Sequence, residues 1–217
     1  MSLFLDHSSQ PLAFSFSGAL VHALLLRKVK SPRDDEVHFL MGPNFYMFRV
    51  NKFSIMTGLR CSCLSLAADI QPHLTSSRLL NTYFNVVPKK DIKFNMLERA
   101  FSMCDVPDDL YKLGLVYFVE GILLAAENDN AIWRDSLSMV EDLYYFEKYP
   151  WGSLSLDTTV KQFRRGMKTI GATIPGKKAK KTTKVESSKG VQVEAKYTCK
   201  GYPPALQYWA YKMILDL

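Results

Sequence analysis

The amino-acid sequence predicts a mainly α fold, namely a single-domain helical bundle with a small β-hairpin near residues 36–50 and a disordered Lys-rich loop before the last helix. Apolar residues recur at helical spacing over several long stretches, which is typical of helices packed against a core. Two short runs of strand-forming residues flank Gly42-Pro43, and this arrangement favours a hairpin. Apolar residues make up 47% of the 217 residues, enough for a core of ordinary size. We therefore expect one helical domain covering residues 1–217.

The N-terminal part of the chain provides a helix followed by the hairpin. Ser17 is in position to cap a first helix that runs to about Val29. The buried stripe of this helix is expected to comprise Leu20, Ala23, Leu24 and Leu26. The runs EVHFLM (36–41) and NFYMFRV (44–50) then form the two strands. Alternation along the first strand places one set of side chains on a common face, namely Val37, Phe39 and Met41.

Three shorter helices are expected between the hairpin and the middle of the chain. Asn51 caps the first of them, and Gly58 ends it in the left-handed conformation that glycine adopts easily. The second helix is expected from about His73 to Phe84, after the break at Gln71-Pro72. The third begins near Asp91.

The stretch from Leu113 to Ala126 is the most apolar in the chain, and it predicts a helix that is buried on all sides. Asp105 is expected to cap this helix, with Pro107 in its first turn. Glu120 interrupts the apolar pattern. Because an isolated carboxylate is unfavourable in an apolar interior, we expect Glu120 to be a hydrogen-bonded structural residue rather than a catalytic acid.

Two amphipathic helices follow the central stretch. Ser136 is expected to cap a helix that ends at Pro150, and Ser155 a helix that ends at Gly171. The inward row of the second helix is clean and comprises Leu156, Val160, Phe163, Met167 and Ile170. Aromatic residues around Tyr149 are compatible with the lining of a pocket, although such sets are more typical of core packing.

Positive charge is concentrated in one segment. Residues 161–200 contain twelve Lys or Arg and two Glu, a local charge of +10 within a chain whose formal charge is +7. Inside this segment, residues 175–194 have almost no bulky side chains and are expected to form a flexible basic loop. The last helix begins at Pro203 and Pro204 and is apolar on most sides, so we expect it to dock into the core.

The basic residues allow three interpretations. In order of preference, they form a solvated loop without a partner, a nuclear-import signal read as KKAKK, or an arm that contacts nucleic-acid phosphates with weak, salt-sensitive affinity. Nucleic-acid contact ranks last because the loop has no aromatic residues for base stacking. The nucleic-acid or import-signal candidates are Lys177, Lys178, Lys180, Lys181, Lys184, Arg164 and Arg165.

The sequence favours an intracellular protein without membrane association. Its N-terminal residues include no basic leader, and no apolar run reaches the roughly 20 residues that a membrane helix needs. The four cysteines, at positions 61, 63, 104 and 199, do not form a disulfide framework. The Cys61-x-Cys63 pair allows a metal site, with Cys104, Cys199 and His73 as further candidate ligands, but the paired knuckles typical of zinc are missing. Buried free thiols are preferred, and no metal or other cofactor is expected.

Motifs that carry catalysis are missing from the sequence. It contains no G-x-S-x-G elbow, no phosphate-binding glycine loop and no H-E-x-x-H helix. The four histidines lie in unlike contexts, and His22, in an apolar helix, is expected to be a core residue rather than a base. We therefore expect no enzymatic activity and no catalytic residues.

Five segments occur in a characteristic order: FSGALVHALLLRKV (16–29), FRVNKFSIMTGLRC (48–61), YKLGLVYFVEGILL (111–124), LSMVEDLYYFEKYPWGSLS (137–155) and GYPPALQYWAYKMI (201–214). Together they resemble a plant domain-of-unknown-function family found in transposon-derived proteins. In that family the domain commonly lies N-terminal to a ubiquitin-like (SUMO-specific) cysteine protease domain. The resemblance implies a plant origin, a mobile-element ancestry and a nuclear setting, and it brings no catalytic residues.

The resemblance also sets the functional hypotheses. No cysteine of the chain lies in the Gln-Asp-Cys-Gly type of setting expected of the protease nucleophile, and we expect the protease domain to be missing from this chain. The first hypothesis is a non-enzymatic interaction module with an unknown protein partner. The second is an accessory or substrate-recruiting domain of a SUMO-specific protease. The third is weak, non-specific nucleic-acid binding through the basic loop.

Overall fold

The computed structural model describes residues 16–63, 71–74, 76–84, 92–127, 129–165 and 200–215. Most of these residues are helical and three short strands form one sheet, which confirms the mainly α fold with a hairpin. The helices are α1 (Gly18–Leu26), α2 (Val50–Thr57), α3 (Arg78–Tyr83), α4 (Phe94–Ser102), α5 (Pro107–Phe118), α6 (Arg134–Met139), α7 (Leu143–Lys148), α8 (Trp151–Arg165) and α9 (Pro203–Leu215). A 3₁₀ turn (Gln71–His73) precedes α3, and a π-helical segment (Val119–Leu123) continues α5. The predicted loop at 175–194 lies outside the described residues, and the single domain over 1–217 stays a prediction.

The sheet is antiparallel, and its strands follow the order β1 (Lys28–Val29), β2 (Val37–Met41), β3 (Asn44–Phe48). The second and third strands form the predicted hairpin, in which Met41 faces Asn44 across a two-residue turn. Gly42 opens this turn with a φ of +59°, a conformation that residues with a side chain rarely adopt. Alternation along β2 buries Val37 and Phe39 on one face, as the sequence predicts.

One hydrophobic cluster, which we call the sheet cluster, joins the hairpin to the last two helices. Trp209 of α9 is 1% exposed and contacts Phe39 and Phe48, with ring centroids 5.6 and 5.3 Å away. The last helix therefore docks into the core, as predicted. The buried members of the cluster are Val21, Leu24, Val37, Phe39, Phe48, Phe53, Leu156, Val160, Phe163, Ala205, Leu206, Trp209 and Ala210.

A second cluster, which we call the helical cluster, is built by α3 to α7 and the π segment. Its buried members all lie between Leu79 and Trp151, so one continuous part of the chain supplies them. Leu59, after α2, packs against both clusters and links them. The buried members are Leu79, Leu80, Phe84, Ile92, Phe94, Leu97, Cys104, Leu113, Val116, Val119, Leu123, Ile132, Leu137, Met139, Val140, Phe146, Tyr149 and Trp151.

A network of charged side chains ties α3 to α5 at the edge of the helical cluster. Arg78 donates two hydrogen bonds to the carboxylate of Asp109, at 3.0 and 2.6 Å, and a third to Glu141 at 3.2 Å. Lys112 donates to the same Glu141 at 2.5 Å, and the Tyr83 hydroxyl donates to Asp109 at 2.9 Å. The Arg78 guanidinium, opposed by burial and helped by Tyr83, holds the pKa of Asp109 below its ordinary value.

Replacing Arg78 by Met is expected to lower the free energy of unfolding by about 1–2 kcal/mol. The change leaves the Asp109 carboxylate, whose side chain is 6% exposed, without its ion pair. The loss is smaller than the roughly 3–5 kcal/mol of a fully buried pair, because the Arg78 side chain is 48% exposed. Urea denaturation at pH 7 measures the effect. Arg33→Met breaks the exposed pair with Asp35 and serves as the control, and equal losses in both variants would contradict the prediction.

Three expectations for the N-terminal helices are wrong. The first helix ends at Leu26 rather than near Val29, because Lys28 and Val29 pair with β2 and form β1. Leu26, expected to be buried, is 72% exposed. The second helix begins at Val50, so Asn51 lies inside it instead of capping it.

Two capping predictions in the same region are confirmed. The Ser17 hydroxyl accepts a hydrogen bond from the Leu20 amide at the start of α1. Gly58 ends α2 with a φ of +67°, the left-handed conformation expected of a helix C-terminus.

The predicted boundaries of the middle helices are partly wrong. The helix expected from His73 to Phe84 is a 3₁₀ turn followed by the shorter α3. The residue in the cap position of α5 is Val106 rather than Asp105, although Pro107 does occupy the first turn. Asp91 lies outside the described residues.

The predicted helix from Ser136 to Pro150 is two short helices, α6 and α7. The Asp142 carboxylate accepts a hydrogen bond from the Tyr145 amide and caps α7. A side-chain acceptor at this position stabilises the start of a helix, so a second helix begins here. Ser136 lies within α6 and is fully buried. The predicted cap at Ser136 is therefore wrong.

α8 begins at Trp151, four residues before the predicted cap at Ser155. The Ser155 side chain is fully buried, and its hydroxyl donates to the Leu123 carbonyl at 2.6 Å. Of the predicted inward row, Leu156, Val160 and Phe163 are confirmed as buried, whereas Met167 and Ile170 lie outside the described residues. The predicted end of this helix at Gly171 lies outside the described residues.

The stretch from Leu113 to Ala126 is not buried on all sides, contrary to the prediction. Leu113 and Val116 are fully buried, whereas Phe118 is 47% exposed and Ile122 is 46% exposed. The helical cluster covers one side of this helix only, so its apolar composition does not translate into complete burial.

A wider helical turn ends the central helix. The Leu124 amide donates to the Val119 carbonyl, five residues back, where an α-helix would use the carbonyl four residues back. The Ala126 amide then donates to the Glu120 carbonyl at 2.8 Å. Ala125 between them has a φ of +49°, and it occupies the left-handed closing position that glycine usually takes.

Replacing Ala125 by Gly is expected to raise the free energy of unfolding by about 0.5–1 kcal/mol, since glycine adopts the left-handed conformation without steric strain. Thermal or urea denaturation measures the change. Gly58→Ala is the matched control of opposite sign, because a side chain is introduced there at a φ of +67°. A stability loss in Ala125→Gly would contradict the prediction.

Candidate functional site

Glu120, in the π segment, is a buried carboxylate in an otherwise apolar region. It is 3% exposed, and its Oε1 atom accepts a hydrogen bond from the Trp133 amide at 3.1 Å. The Ser136 hydroxyl lies 3.2 Å from the same oxygen and shares its proton with the Trp133 carbonyl, 2.6 Å away. The expectation that Glu120 is hydrogen-bonded is confirmed. Both donors belong to the chain at the start of α6, so Glu120 links the π segment to the next helix.

The π segment is held in place by the last two helices. Its widened turn leaves carbonyl groups at the C-terminal end without helical partners. The Ser155 hydroxyl donates to the Leu123 carbonyl at 2.6 Å, and the Gly201 amide donates to the Leu124 carbonyl at 3.0 Å. The backbone that carries Glu120 is therefore supported by α8 and by Gly201, two residues before α9.

The electrostatic environment of Glu120 is unfavourable for its ionised form. Burial raises the pKa of Glu120 to about 7, although the hydrogen bonds from Trp133 and Ser136 act in the opposite direction. Within the described part of the chain, no Lys, Arg or His forms an ion pair with this carboxylate. The ionised and neutral forms are therefore both populated near neutral pH.

A cavity of about 340 Å³ opens beside Glu120, a volume within the range of small-ligand sites. Trp133 and Tyr149 line this cavity, and their rings pack against each other with centroids 5.7 Å apart and planes inclined by 47°. The Nδ2 atom of Asn130 is buried without a hydrogen-bond acceptor. Lys200 lines the cavity and is exposed to solvent. The full lining is Glu120, Leu124, Ala126, Asn130, Ala131, Trp133, Tyr149, Leu154, Thr158 and Lys200.

Arg164 is the one basic candidate whose side chain is described. Its guanidinium donates to the Asp34 carboxylate at 2.6 Å and to the Arg33 carbonyl, so it holds the loop before β2 against α8. Arg165 ends α8, and its side chain lies outside the described part of the structure, as do Lys177, Lys178, Lys180, Lys181 and Lys184. The import and nucleic-acid assignments stay predictions.

Two histidines contact carboxylates. The Nδ1 atom of His73 lies 2.8 Å from Oδ2 of Asp142, and Nε2 of His38 lies 2.8 Å from Oε1 of Glu36. The His73 ring also stacks on Tyr145, with centroids 3.6 Å apart. In the described part of the chain, neither imidazole is hydrogen-bonded to a serine hydroxyl or a thiol, the contact that a base needs to activate a nucleophile.

The described cysteines are free thiols at separate places in the fold. Cys104 is 8% exposed and lies 3.1 Å from the Tyr83 hydroxyl, while Cys61 is half-buried and Cys63 exposed. Cys199 lies outside the described residues. Over the same described ranges, no group of three or more His, Cys, Asp or Glu side chains is placed to hold a metal ion.

Glu120 is recognisable in the sequence, whereas the residues around it are not. The lone carboxylate in an apolar run is a visible signal. Asn130, Ala131 and Trp133 lie in the connection before α6, and Lys200 lies far along the chain, so no local pattern links them to Glu120.

The model of the family described as Domain of unknown function (DUF1985) matches residues 25–162, which include the π segment and all of the cavity lining except Lys200. The chain belongs to this family. The match covers more than half of the chain and agrees with the resemblance to a domain-of-unknown-function family. No curated protein and no solved structure matches the chain. None of the described helices has the length and apolar character needed to cross a membrane.

Proposed function

We propose that this chain is a non-enzymatic interaction module that holds a segment of a partner protein in the cavity beside Glu120. The observation that carries the proposal is a buried carboxylate without an ion-pair partner in the described residues, at the wall of a 340 Å³ cavity. Charged groups in protein interiors are normally paired. A cationic group that enters the cavity would form an ion pair with Glu120 and would also bury apolar surface against Trp133 and Tyr149.

The composition of the cavity favours binding over catalysis. Its described lining includes no cysteine, serine or histidine, and Glu120 is its one carboxylate. Acid–base hydrolysis normally uses two carboxylates or an activated nucleophile.

The biological setting that we propose is the nucleus of a plant cell, in a protein derived from a mobile element. This setting rests on the five segments that resemble a plant family of transposon-derived proteins and on the family match over residues 25–162. The same resemblance supports a more specific alternative, in which the module recruits substrates for a SUMO-specific cysteine protease. Weak nucleic-acid binding through residues 175–194 is the remaining alternative.

The test is capture of nuclear proteins by the purified chain, followed by reconstitution with the identified partner. Ala131 lines the cavity and is exposed, so Ala131→Phe fills the entrance without replacing a core residue. Ala131→Ser at the same position is the matched control. A partner retained by the wild type and the Ser variant, but lost by the Phe variant, supports the proposal. Retention of every partner by all three overturns the assignment to this cavity.

The alternatives have their own measurements. Incubation with SUMO-conjugated substrate and a thiol-reactive SUMO probe tests enzymatic activity, and turnover or labelling of a cysteine would overturn the non-enzymatic assignment. Nucleic-acid binding predicts affinity that falls steeply with salt, and that weakens when the lysines of residues 175–194 are replaced by Ser. Binding that survives this replacement unchanged would exclude the loop as the contact.

A further inference from the structure

We infer that the cavity beside Glu120 takes a planar cation, the guanidinium of an arginine side chain presented by the partner protein. The inference deepens the proposed function and rests on it, because it names the group that enters the same cavity. It follows from the three kinds of group that line the cavity, namely a carboxylate, two aromatic rings and an amide donor.

The carboxylate supplies the missing half of an ion pair. Among the described residues, the hydrogen bonds that Glu120 accepts reach Oε1, so the second oxygen, Oε2, is the natural acceptor for an incoming donor. A cation–carboxylate hydrogen bond is roughly twice as strong as one between neutral groups. The water-poor surroundings that disfavour the lone charge strengthen its attraction to a cation.

The aromatic walls favour a flat cation over a compact one. Trp133 and Tyr149 both line the cavity, and their rings pack against each other at an inclination of 47°. Cations bind favourably over the face of an aromatic ring. A guanidinium is planar, more weakly hydrated than an ammonium and able to stack on an aromatic ring while donating to a carboxylate. Arginine therefore fits the walls better than lysine does.

The two donors at the cavity favour an arginine that is part of a peptide. The buried Nδ2 atom of Asn130 has no acceptor, and a guanidinium offers none. The backbone carbonyl of the residue that bears the guanidinium supplies such an acceptor beside the cation. Lys200 and Tyr149 are the other titratable groups in the cavity lining. The Lys200 ammonium repels any cation that enters the cavity. It can, however, donate a hydrogen bond to a peptide carbonyl, which a free guanidine does not have. Lys200 therefore favours an arginine within a peptide over a free guanidine.

The test uses three small probes of the same shape: benzamidine, benzamide and benzoate. Binding is followed at pH 8 by tryptophan fluorescence and by amide NMR shifts, in the wild type, Glu120→Gln, Ala131→Phe and Ala131→Ser. We expect benzamidine to bind at least about tenfold more tightly than the neutral and anionic probes. Glu120→Gln and Ala131→Phe are expected to remove this preference, while Ala131→Ser keeps it. Tighter binding of benzamide or benzoate would overturn the inference.

The pH dependence of benzamidine affinity shows whether Glu120→Gln acts by removing the charge or by distorting the cavity. With a pKa of about 7, the ionised fraction of Glu120 rises about tenfold between pH 6 and pH 8, and the affinity for benzamidine should rise with it. Glu120→Gln should give weak binding without this profile. Lys200→Gln should strengthen benzamidine binding while keeping the profile. A flat profile in the wild type contradicts a role for the Glu120 charge.

A peptide comparison distinguishes this inference from the proposed function. Capped peptides that differ only in a central Arg, Lys or Gln are titrated into the wild type, and we expect the Arg peptide to bind most tightly. If benzamidine and the Arg peptide bind but no protein is lost by Ala131→Phe in the capture experiment, the proposed function fails alone. If a partner is lost by Ala131→Phe although neither cation binds, the inference fails alone.

Discussion

Replacing Glu120 by Gln is expected to raise the free energy of unfolding by about 3 kcal/mol at pH 8 and by about 1 kcal/mol or less at pH 5. Each pKa unit corresponds to about 1.4 kcal/mol, and burial raises the pKa of Glu120 from 4.5 to about 7. Between pH 4.5 and about pH 7, the folded chain binds more protons at Glu120 than the unfolded chain does. Its stability therefore falls as the pH rises, and the fall is complete above the folded pKa. Gln keeps the neutral hydrogen-bonding shape and does not ionise.

The comparison needs urea denaturation of both proteins at several pH values from 5 to 8. Other carboxylates, such as Asp109, titrate equally in both proteins and cancel in the difference. Glu147 is exposed on α7, and Glu147→Gln is the control that should leave the difference near zero at every pH. Destabilisation by Glu120→Gln at pH 8 would show that the ionised carboxylate contributes favourably to the fold.

Replacing Trp209 by Ala is expected to lower the free energy of unfolding by about 3–5 kcal/mol, the usual loss for a large aromatic side chain in a core. Trp209 is 1% exposed and contacts Phe39 and Phe48 of the hairpin. Its removal leaves a cavity between α9 and the sheet that these rigid neighbours cannot close. Chemical denaturation measures the loss.

The informative companion variant is Trp209→Phe. The Nε1 atom of Trp209 is buried without an acceptor, so Phe removes an unfavourable group while it keeps much of the contact. We expect a loss of about 1 kcal/mol or less, because the smaller cavity is offset by the lost polar penalty. If Trp209→Phe is as destabilising as Trp209→Ala, the Nε1 atom makes a favourable contact, and its description as a buried donor without an acceptor is wrong.

Hydrophobic periodicity predicted the elements that pack against a core on one side. The buried residues of α8 follow from helical spacing, and the shared face of Val37 and Phe39 in β2 follows from alternation. The docking of α9 follows instead from its apolar composition, and the hairpin from strand-forming residues on either side of Gly42-Pro43. The same reasoning failed for Leu113–Ala126, where composition alone does not reveal how many neighbours surround the helix. Phe118 and Ile122 are apolar and yet exposed.

Local capping rules failed where tertiary partners compete for the same side chains. Ser136 and Ser155 look like helix caps in the sequence, but the folded chain uses their hydroxyls to bind Glu120 and the Leu123 carbonyl. The cavity escapes sequence reasoning for a related reason. Glu120 and Lys200 come together only after α8 and α9 have packed, so their proximity is a property of the whole fold.

The division of the interior into two clusters has a consequence for biosynthesis. The buried residues of the helical cluster come from one continuous part of the chain, whereas the sheet cluster joins residues 21–53 to residues 156–210. On the ribosome the hairpin emerges more than 150 residues before Trp209. In the nascent chain, Phe39 and Phe48 therefore remain exposed until α9 has been synthesised. Exposed apolar residues of this kind are binding sites for chaperones.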